Sequence, residues 1–274
     1  YGVSCFGASD GSMVAAVSGG TAPYAYTWQH AQGVIGTSAS VQGLGAGTYH
    51  LRVEDANGCE ALHTQLITAP PALALAVNTT HAVTCAGASN GALSAQVTGG
   101  VPGYAFAWSG PNGFLASGAN SSGLQAGVYT LVVTDANGCS RSSTRTIDQP
   151  AALEVSIDAS AHVGGHGVSC AGASDGALGV RINGGSLPYT VNWTGPNAFA
   201  SNAWELTGLQ SGTYTVLVTD ANGCTRTVQH TVSAPAALTA QGVVPLFAGY
   251  AIACHGASTG AIDLTVTGGA APYT

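Results

Sequence analysis

Lysine is absent from this 274-residue chain, and charged residues of all kinds make up only 6 % of it. Typical soluble domains carry roughly 25 %. The five basic residues are all arginine, against 12 acidic ones, leaving a net charge of −7. That balance excludes a nucleic-acid binder, because phosphate contacts need a basic stripe. Long apolar runs are missing too, and no window reaches the roughly 18 unbroken apolar residues of a spanning helix. No sustained helical periodicity occurs, G-x-S-x-G appears only as the repeated "GASDG", "GASNG" and "GASTG" of the array and never between a strand and a helix pattern, and there is no H-E-x-x-H and no glycine loop opening a helix. An enzyme needs a unique constellation of residues. This chain repeats its special residues, so no enzyme and no cofactor are expected.

What is abundant is glycine, 40 residues, and a hydrophobic fraction of 46 % carried by Ala, Val and Leu among Thr and Ser. That mix suits many short strands. The chain is built from a repeat. "CFGASDG" at 5 returns as "CAGASNG" at 85, "CAGASDG" at 170 and "CHGASTG" at 254, at intervals of 80, 85 and 84 residues. A glycine pair begins 14 residues after each cysteine (Gly19, Gly99, Gly184, Gly268), and a Tyr follows at +19 (Tyr24, Tyr104, Tyr189, Tyr273). Trp28, Trp108 and Trp193 stand at +23, and Tyr49, Tyr129 and Tyr214 at +44. The pentapeptide "DANGC" closes each unit with Cys59, Cys139 or Cys224, and 11 residues later comes Pro70, Pro150 or Pro235, soon followed by "AL". The first residues, "YGVSC", and the last, "GGAAPYT", lie inside this pattern, so the chain is read as a window on a longer array.

A period of 80–85 residues fits a small β-sandwich. "GALSAQVTGG", "YAFAW" and "GVYTLVVTD" alternate with period 2 between turn residues. Each unit therefore predicts about seven strands: one leading in, one after "GAS", one ending at Trp, one or two in the middle, one carrying the second Tyr and one after the second Cys. The fold class is all-β, a tandem array of Ig-like or PKD-like sandwiches. The expected divisions are 1–70 (lacking its lead-in strand), 71–150, 151–235 and a partial unit, 236–274. Trp28, Trp108 and Trp193 are the expected core, each burying roughly 200 Å². "LGAGTY", "LQAGVY" and "LQSGTY" predict tyrosine corners at Tyr49, Tyr129 and Tyr214. "GPNG" and "GPNA" predict turns with Pro at i+1.

The run C-x-G-x-x-x-G, G-G-x-x-P-Y-x-x-x-W, L-x-x-G-x-Y and D-A-N-G-C resembles the SprB repeat of very large surface adhesins of gliding Bacteroidetes. Gly103 departs from it, standing where other units have Pro. The resemblance implies tandem Ig-like domains, export by type IX secretion, and an extracellular place at the cell surface in adhesion or gliding. A structural or adhesive fibre of disulfide-stabilised repeats is the expectation. Its partners would be other copies of the repeat, through lateral packing that low charge permits, and a surface polysaccharide or protein of unspecified identity. Two alternatives stay open: a carbohydrate- or protein-binding module, and a spacer joined to an enzyme outside this window. Trp204, in "NAWELTG", has no counterpart in the other units and reads either as an extra core aromatic or as a ligand-binding residue.

The seven cysteines suit disulfides in an exported protein better than zinc, because no C-x-x-C recurs. Constant spacing favours pairs within units: Cys5–Cys59, Cys85–Cys139 and Cys170–Cys224. Each would contribute about 4 kcal/mol through loop closure. Strand geometry objects, since the first Cys and the last hairpin turn lie at opposite ends of a standard sandwich, some 20 Å apart. Unless the first Cys starts a strand parallel to the last one, the bridges must instead join neighbours, as Cys5–Cys139 and Cys85–Cys224. The pairing within units is the expectation. Asp55, Asp135 and Asp220 are the calcium candidates, set against a plain Asn-Gly type I′ hairpin turn, which is preferred. The next recurring position, Asp10, Asn90, Asp175 and Thr259, is not acidic in every unit. The eight histidines form no recurring set. His81 and His166 share a position held elsewhere by Tyr1 and Tyr250, and read as solvated loop residues.

Overall fold

The computed structural model describes residues 2–246 and 248–273, so Tyr1 lies outside the described residues. Among the described residues, alternation in the sequence becomes 22 short strands. The first repeat contributes β1 (Gly11–Val14), β2 (Ala25–His30), β3 (Gly33–Gly36), β4 (Ser40–Leu44), β5 (Gly47–Glu54) and β6 (Glu60–Ile67). The second contributes β7 (Ala74–His81), β8 (Gly91–Thr98), β9 (Ala105–Ser109), β10 (Leu115–Ala116), β11 (Asn120–Leu124), β12 (Gly127–Thr134) and β13 (Ser140–Ile147). The third contributes β14 (Glu154–Ala159), β15 (Ser174–Asn183), β16 (Thr190–Thr194), β17 (Ala200–Ser201), β18 (Glu205–Gln210), β19 (Gly212–Thr219) and β20 (Thr225–Val232). β21 (Thr239–Val243) and β22 (Asp263–Thr267) pair as a two-stranded sheet.

The chain forms two units. One holds the residues up to Val83 together with Gly87–Gln149, the other Thr84–Ala86 together with the residues from Pro150 on. Within the first, the second repeat folds as a four-stranded sheet, β10-β9-β12-β13, facing a three-stranded one, β11-β8-β7. The first repeat matches it with β3-β2-β5-β6, but its other sheet has two strands only, β1-β4. In the second unit the sheets are β17-β16-β19-β20 and β14-β15-β18. All pairs are antiparallel.

Alternation explains what each strand buries. Tyr129, Leu131 and Val133 of β12 point inward and are at most 2 % exposed, while Val128 and Val132 face out. Trp108 sits opposite Leu131 across the sheet and joins Leu93, Leu124 and Ile147 in one core. Trp28 and Trp193 centre the other two cores. Each of these indole N–H groups donates to a carbonyl ten residues on, those of Ser38, Gly118 and Ala203, so none of the three is left without a partner. The hydroxyls of Tyr49, Tyr129 and Tyr214 donate to the carbonyls four residues upstream, at Gly45, Gln125 and Gln210. Those of Tyr24, Tyr104 and Tyr189 donate to the first glycine of the preceding pair.

Two turns differ from expectation. In "GPNG" and "GPNA" the Pro is the first residue of the turn, not the second: Phe114 N–H donates to Pro111 O, and Phe199 N–H to Pro196 O. Asn112 and Gly113 both take positive φ, 54° and 75°, as the central pair of a type I′-like turn must.

Candidate functional site

The type I′ turn expected in "DANGC" is not what forms there. Asp55 O accepts from Gly58 N–H, and only Gly58 has positive φ, at 80°. The result is a type I turn closed by a left-handed glycine, a three-residue hairpin loop. The aspartate dictates it. One oxygen of Asp55 accepts the amides of Asn57 and Cys59, which wraps the loop around the carboxylate. The other oxygen accepts the amide of Thr21, next to the glycine pair. Asp135 repeats this with Asn137, Cys139 and Val101, and Asp220 with Asn222, Cys224 and Ser186, all at 2.8–3.0 Å. Each Asp thus clamps the hairpin to the turn after the glycine pair. The Thr21 amide foremost holds the Asp55 carboxyl below the usual carboxylate range, and the Val101 amide does the same for Asp135. As for calcium, both oxygens of each carboxylate are committed to amides, and the described residues hold no group of three or more His, Cys, Asp and Glu placed to share a metal.

The companion position caps the other end of the repeat. Asp10 accepts the Ser4 amide, Asp175 the Ser169 amide and Thr259 the Ala253 amide, each the residue just before a cysteine. The hydroxyl and amide of Ser4 lower the Asp10 carboxyl, and those of Ser169 lower Asp175. These residues shape the cysteine loop, closed by Ala8 N–H to Cys5 O and its equivalents at Cys170 and Cys254.

The two ends come together between repeats, and the expected pairing within repeats is overturned. Cys5 bonds Cys139 and Cys85 bonds Cys224, with Cα atoms 5.8 and 5.7 Å apart. The physical reason lies in the strand between the motifs. Cys170 precedes β15, while Cys224 sits in the hairpin clamped to Ser186, just past its far end. Ten residues of strand span about 30 Å, and a disulfide tolerates about 7 Å. No parallel strand begins at the first cysteine to close that gap: Cys5 and Cys170 lie in turns. The first cysteine of one repeat therefore meets the last of the next. The asparagine of "DANGC" helps hold the junction, a role that sequence reasoning missed. Asn137 donates its side-chain amide to Ser4 O at 2.8 Å, and Asn222 to Thr84 O at 3.0 Å, the carbonyl before the bonded cysteine in each case. Cys59, Cys170 and Cys254 are free and exposed.

The cysteine-loop side of these junctions falls within stretches that match a known repeat. The SprB repeat profile matches residues 3–33, 77–113 and 252–274. These three stretches are similar to SprB repeats. The matched residues carry the cysteine loop and glycine pair at 5–20 and at 254–269, and the glycine pair and Trp108 in the second repeat. No match is found among curated proteins. Among solved structures, the eight N-terminal Ig domains of the Down syndrome cell adhesion molecule are similar at 11 % identity and TM-score 0.38, over 77 % of this chain and 32 % of that one. A tetra-tandem repeat from the extending region of a large adhesion protein is similar at 15 % identity and TM-score 0.23, over 90 % and 81 %. A Dpr2–DIP-Theta complex gives 10 %, 0.29, 77 % and 88 %.

Trp204 is not a core residue. It is 49 % exposed just before β18, with its ring 6.5 Å from that of Tyr189 and its backbone carbonyl accepting from Val180 N–H. His81 is exposed at the end of β7, and among the described residues no helix is long and apolar enough to cross a membrane.

Proposed function

We propose that the chain is part of a non-enzymatic adhesive stalk outside the cell, in which covalently stitched SprB repeats carry load. The observation that supports this best is the connectivity: each disulfide joins the first cysteine of one repeat to the last of the next. A bridge inside a repeat stiffens that repeat only, whereas a bridge between repeats keeps the array continuous when a sandwich opens. Low charge and the absence of lysine suit the same setting, a surface exposed to proteases and packed among its own kind. Bacteroidetes, type IX export and a role in gliding are the finer reading, and they rest on the resemblance to SprB adhesins.

Single-molecule stretching tests the load-bearing part. With bridges intact, the path from Cys5 to Cys224 runs through both disulfides and the 54 residues from 85 to 139 (139 − 85), about 19 nm at full extension. After reduction the same path is 219 residues (224 − 5), about 77 nm. An extension that does not change on reduction contradicts the reading.

The half-exposed Trp204 beside Tyr189 supports a second reading, a carbohydrate platform in the third repeat. Glycan-array binding lost in Trp204→Ala supports it, and no binding by the chain removes it.

A further inference from the structure

Asparagine followed by glycine is the dipeptide whose side chain its own backbone attacks most readily, and this chain holds six, with asparagine at 57, 90, 112, 137, 183 and 222. Glycine has no Cβ to shield its amide nitrogen. Ring closure swings the asparagine Cγ onto that nitrogen, so the main chain must leave its folded conformation first. Whatever ties the glycine amide down slows the step.

Three of the six lie in DANGC, where the aspartate clamp ties them down. The Gly58, Gly138 and Gly223 N–H groups donate to Asp55 O, Asp135 O and Asp220 O at 3.0 Å. The asparagine N–H is held by the carboxylate of the same aspartate. Its side chain is held as well: Asn57 donates to Thr21 Oγ1, Asn137 to Ser4 O, and Asn222 to Thr84 O and Ser186 Oγ. Two more sites are covered by main chain. Gly91 is buried in β8, with Leu124 O 2.9 Å from where its Cβ would stand, and at Gly184 the Ala152 carbonyl lies 2.0 Å from that point.

Asn112–Gly113 differs. Both residues are exposed, and a Cβ on Gly113 would meet nothing within 4 Å. The main-chain bonds of the loop come from the residues on either side, Phe114 N–H to Pro111 O and Gly110 N–H to Phe114 O. Among the described residues, neither Asn112 N–H nor Gly113 N–H meets an acceptor with hydrogen-bond geometry. The Asn112 side chain makes one long contact, Nδ2 to Gln125 Oε1 at 3.3 Å. The third repeat holds a natural control. Asn197 has the same φ, 54°, and the equivalent partner, Gln210, but Ala198 follows it.

We infer that Asn112 is a self-modifying site, deamidated through a succinimide, and that the aspartate clamps spare the asparagines of the junctions. The Gly113 amide nitrogen gives up its proton and attacks Asn112 Cγ. The Cγ–Nδ2 bond breaks, and the side-chain nitrogen leaves as ammonia with that proton. Water then adds to either carbonyl of the ring and the ring C–N bond breaks, leaving aspartate or isoaspartate. No electrons are transferred, and water is the only co-reactant. The product puts a negative charge where Nδ2 donated to Gln125. Isoaspartate also routes the main chain through Cβ, which lengthens the loop that sets Phe114 edge-on to Tyr129 at 5.4 Å. The same event at Asn137 would turn a donor into a carboxylate facing Ser4 O, at a disulfide junction. None of this depends on whether the repeats carry load.

The test ages the full chain in mildly alkaline buffer and reads conversion at each asparagine by peptide mass, with isoaspartate confirmed by an isoaspartyl methyltransferase. Asn112 should convert first, with Asn57, Asn137 and Asn222 slower by about tenfold or more, tenfold being about 1.4 kcal/mol in barrier. Asn197 should stay unconverted. Gly113→Ala should suppress the reaction at Asn112, and the third repeat already holds alanine at this position of the loop, at φ 59°. Ala198→Gly should start the reaction at Asn197. In denaturant with reductant, Asn112 and the three DANGC sites should converge on one rate, because only the fold separates them. Equal rates at Asn112 and Asn137 in the folded chain, a DANGC site that stays slow when unfolded, or an inert Asn197 in Ala198→Gly, each overturns the proposal.

Discussion

Asp55 and Asp135 each place three backbone amides on one carboxylate, so the charge is what the loop is folded around. Both carboxyls sit below their usual range when folded, so the stability they add is present above pH 4 or so and lost as pH falls through the lowered value. Asp135→Asn should therefore lower the melting temperature by several degrees at pH 7, with the gap to the parent closing toward pH 2. A thermal melt series across that range checks it. A constant gap would mean that the charge is not the stabilising element. The glycine pairs offer a second contrast at this scale. Gly99→Ala meets Ala72 O and a positive φ, whereas Gly19→Ala meets the positive φ alone. The first should cost more stability than the second, read as the difference in denaturation midpoint.

At the scale of the element, packing is concentrated on one face of β12 and its equivalents. Trp108 is 1 % exposed against Leu131 and Leu93, so Trp108→Ala should destabilise its sandwich by about 3–5 kcal/mol in urea unfolding. Tyr129→Phe keeps the ring and removes only the bond to Gln125 O, so its cost should be about 1 kcal/mol. The strands themselves were legible in the sequence, because period-2 alternation in "YAFAW" and "GVYTLVVTD" fixes which face is apolar. The turns were legible only in part. "DANG" contains the dipeptide favoured in type I′ hairpins, yet the preceding Asp redirects it, and the type I′-like pair forms at Asn112–Gly113, a few residues after Trp108. Dipeptide preference is local, while the Asp bond to Val101 spans 34 residues.

At the scale of the whole molecule, the repeat period was readable from spacing alone and the likeness to SprB repeats from the motifs, and the disulfide connectivity was not. Equal spacing within units, 54 residues each time, reflects constant strand lengths and carries no information on which sulfurs meet. The deciding quantity is the length of the strand between the two motifs, which holds Cys170 and Cys224 about 30 Å apart. Closing loops of 134 and 139 residues, the two bridges should each contribute up to about 5 kcal/mol, so reduction should lower the melting temperature more than any surface substitution.

The most direct measurement is peptide mapping of the unreduced chain after arginine-directed cleavage. Cuts after Arg52, Arg141, Arg145, Arg181 and Arg226 leave Cys59, Cys85 and Cys139 on one fragment and put Cys5, Cys170 and Cys224 each on another, so the partner of Cys224 is what decides. Stitching between repeats predicts one cluster in which fragments 1–52, 53–141 and 182–226 are joined, with fragment 146–181 and its Cys170 free. Fragment 146–181 joined to 182–226 would place Cys170 on Cys224 and contradict it.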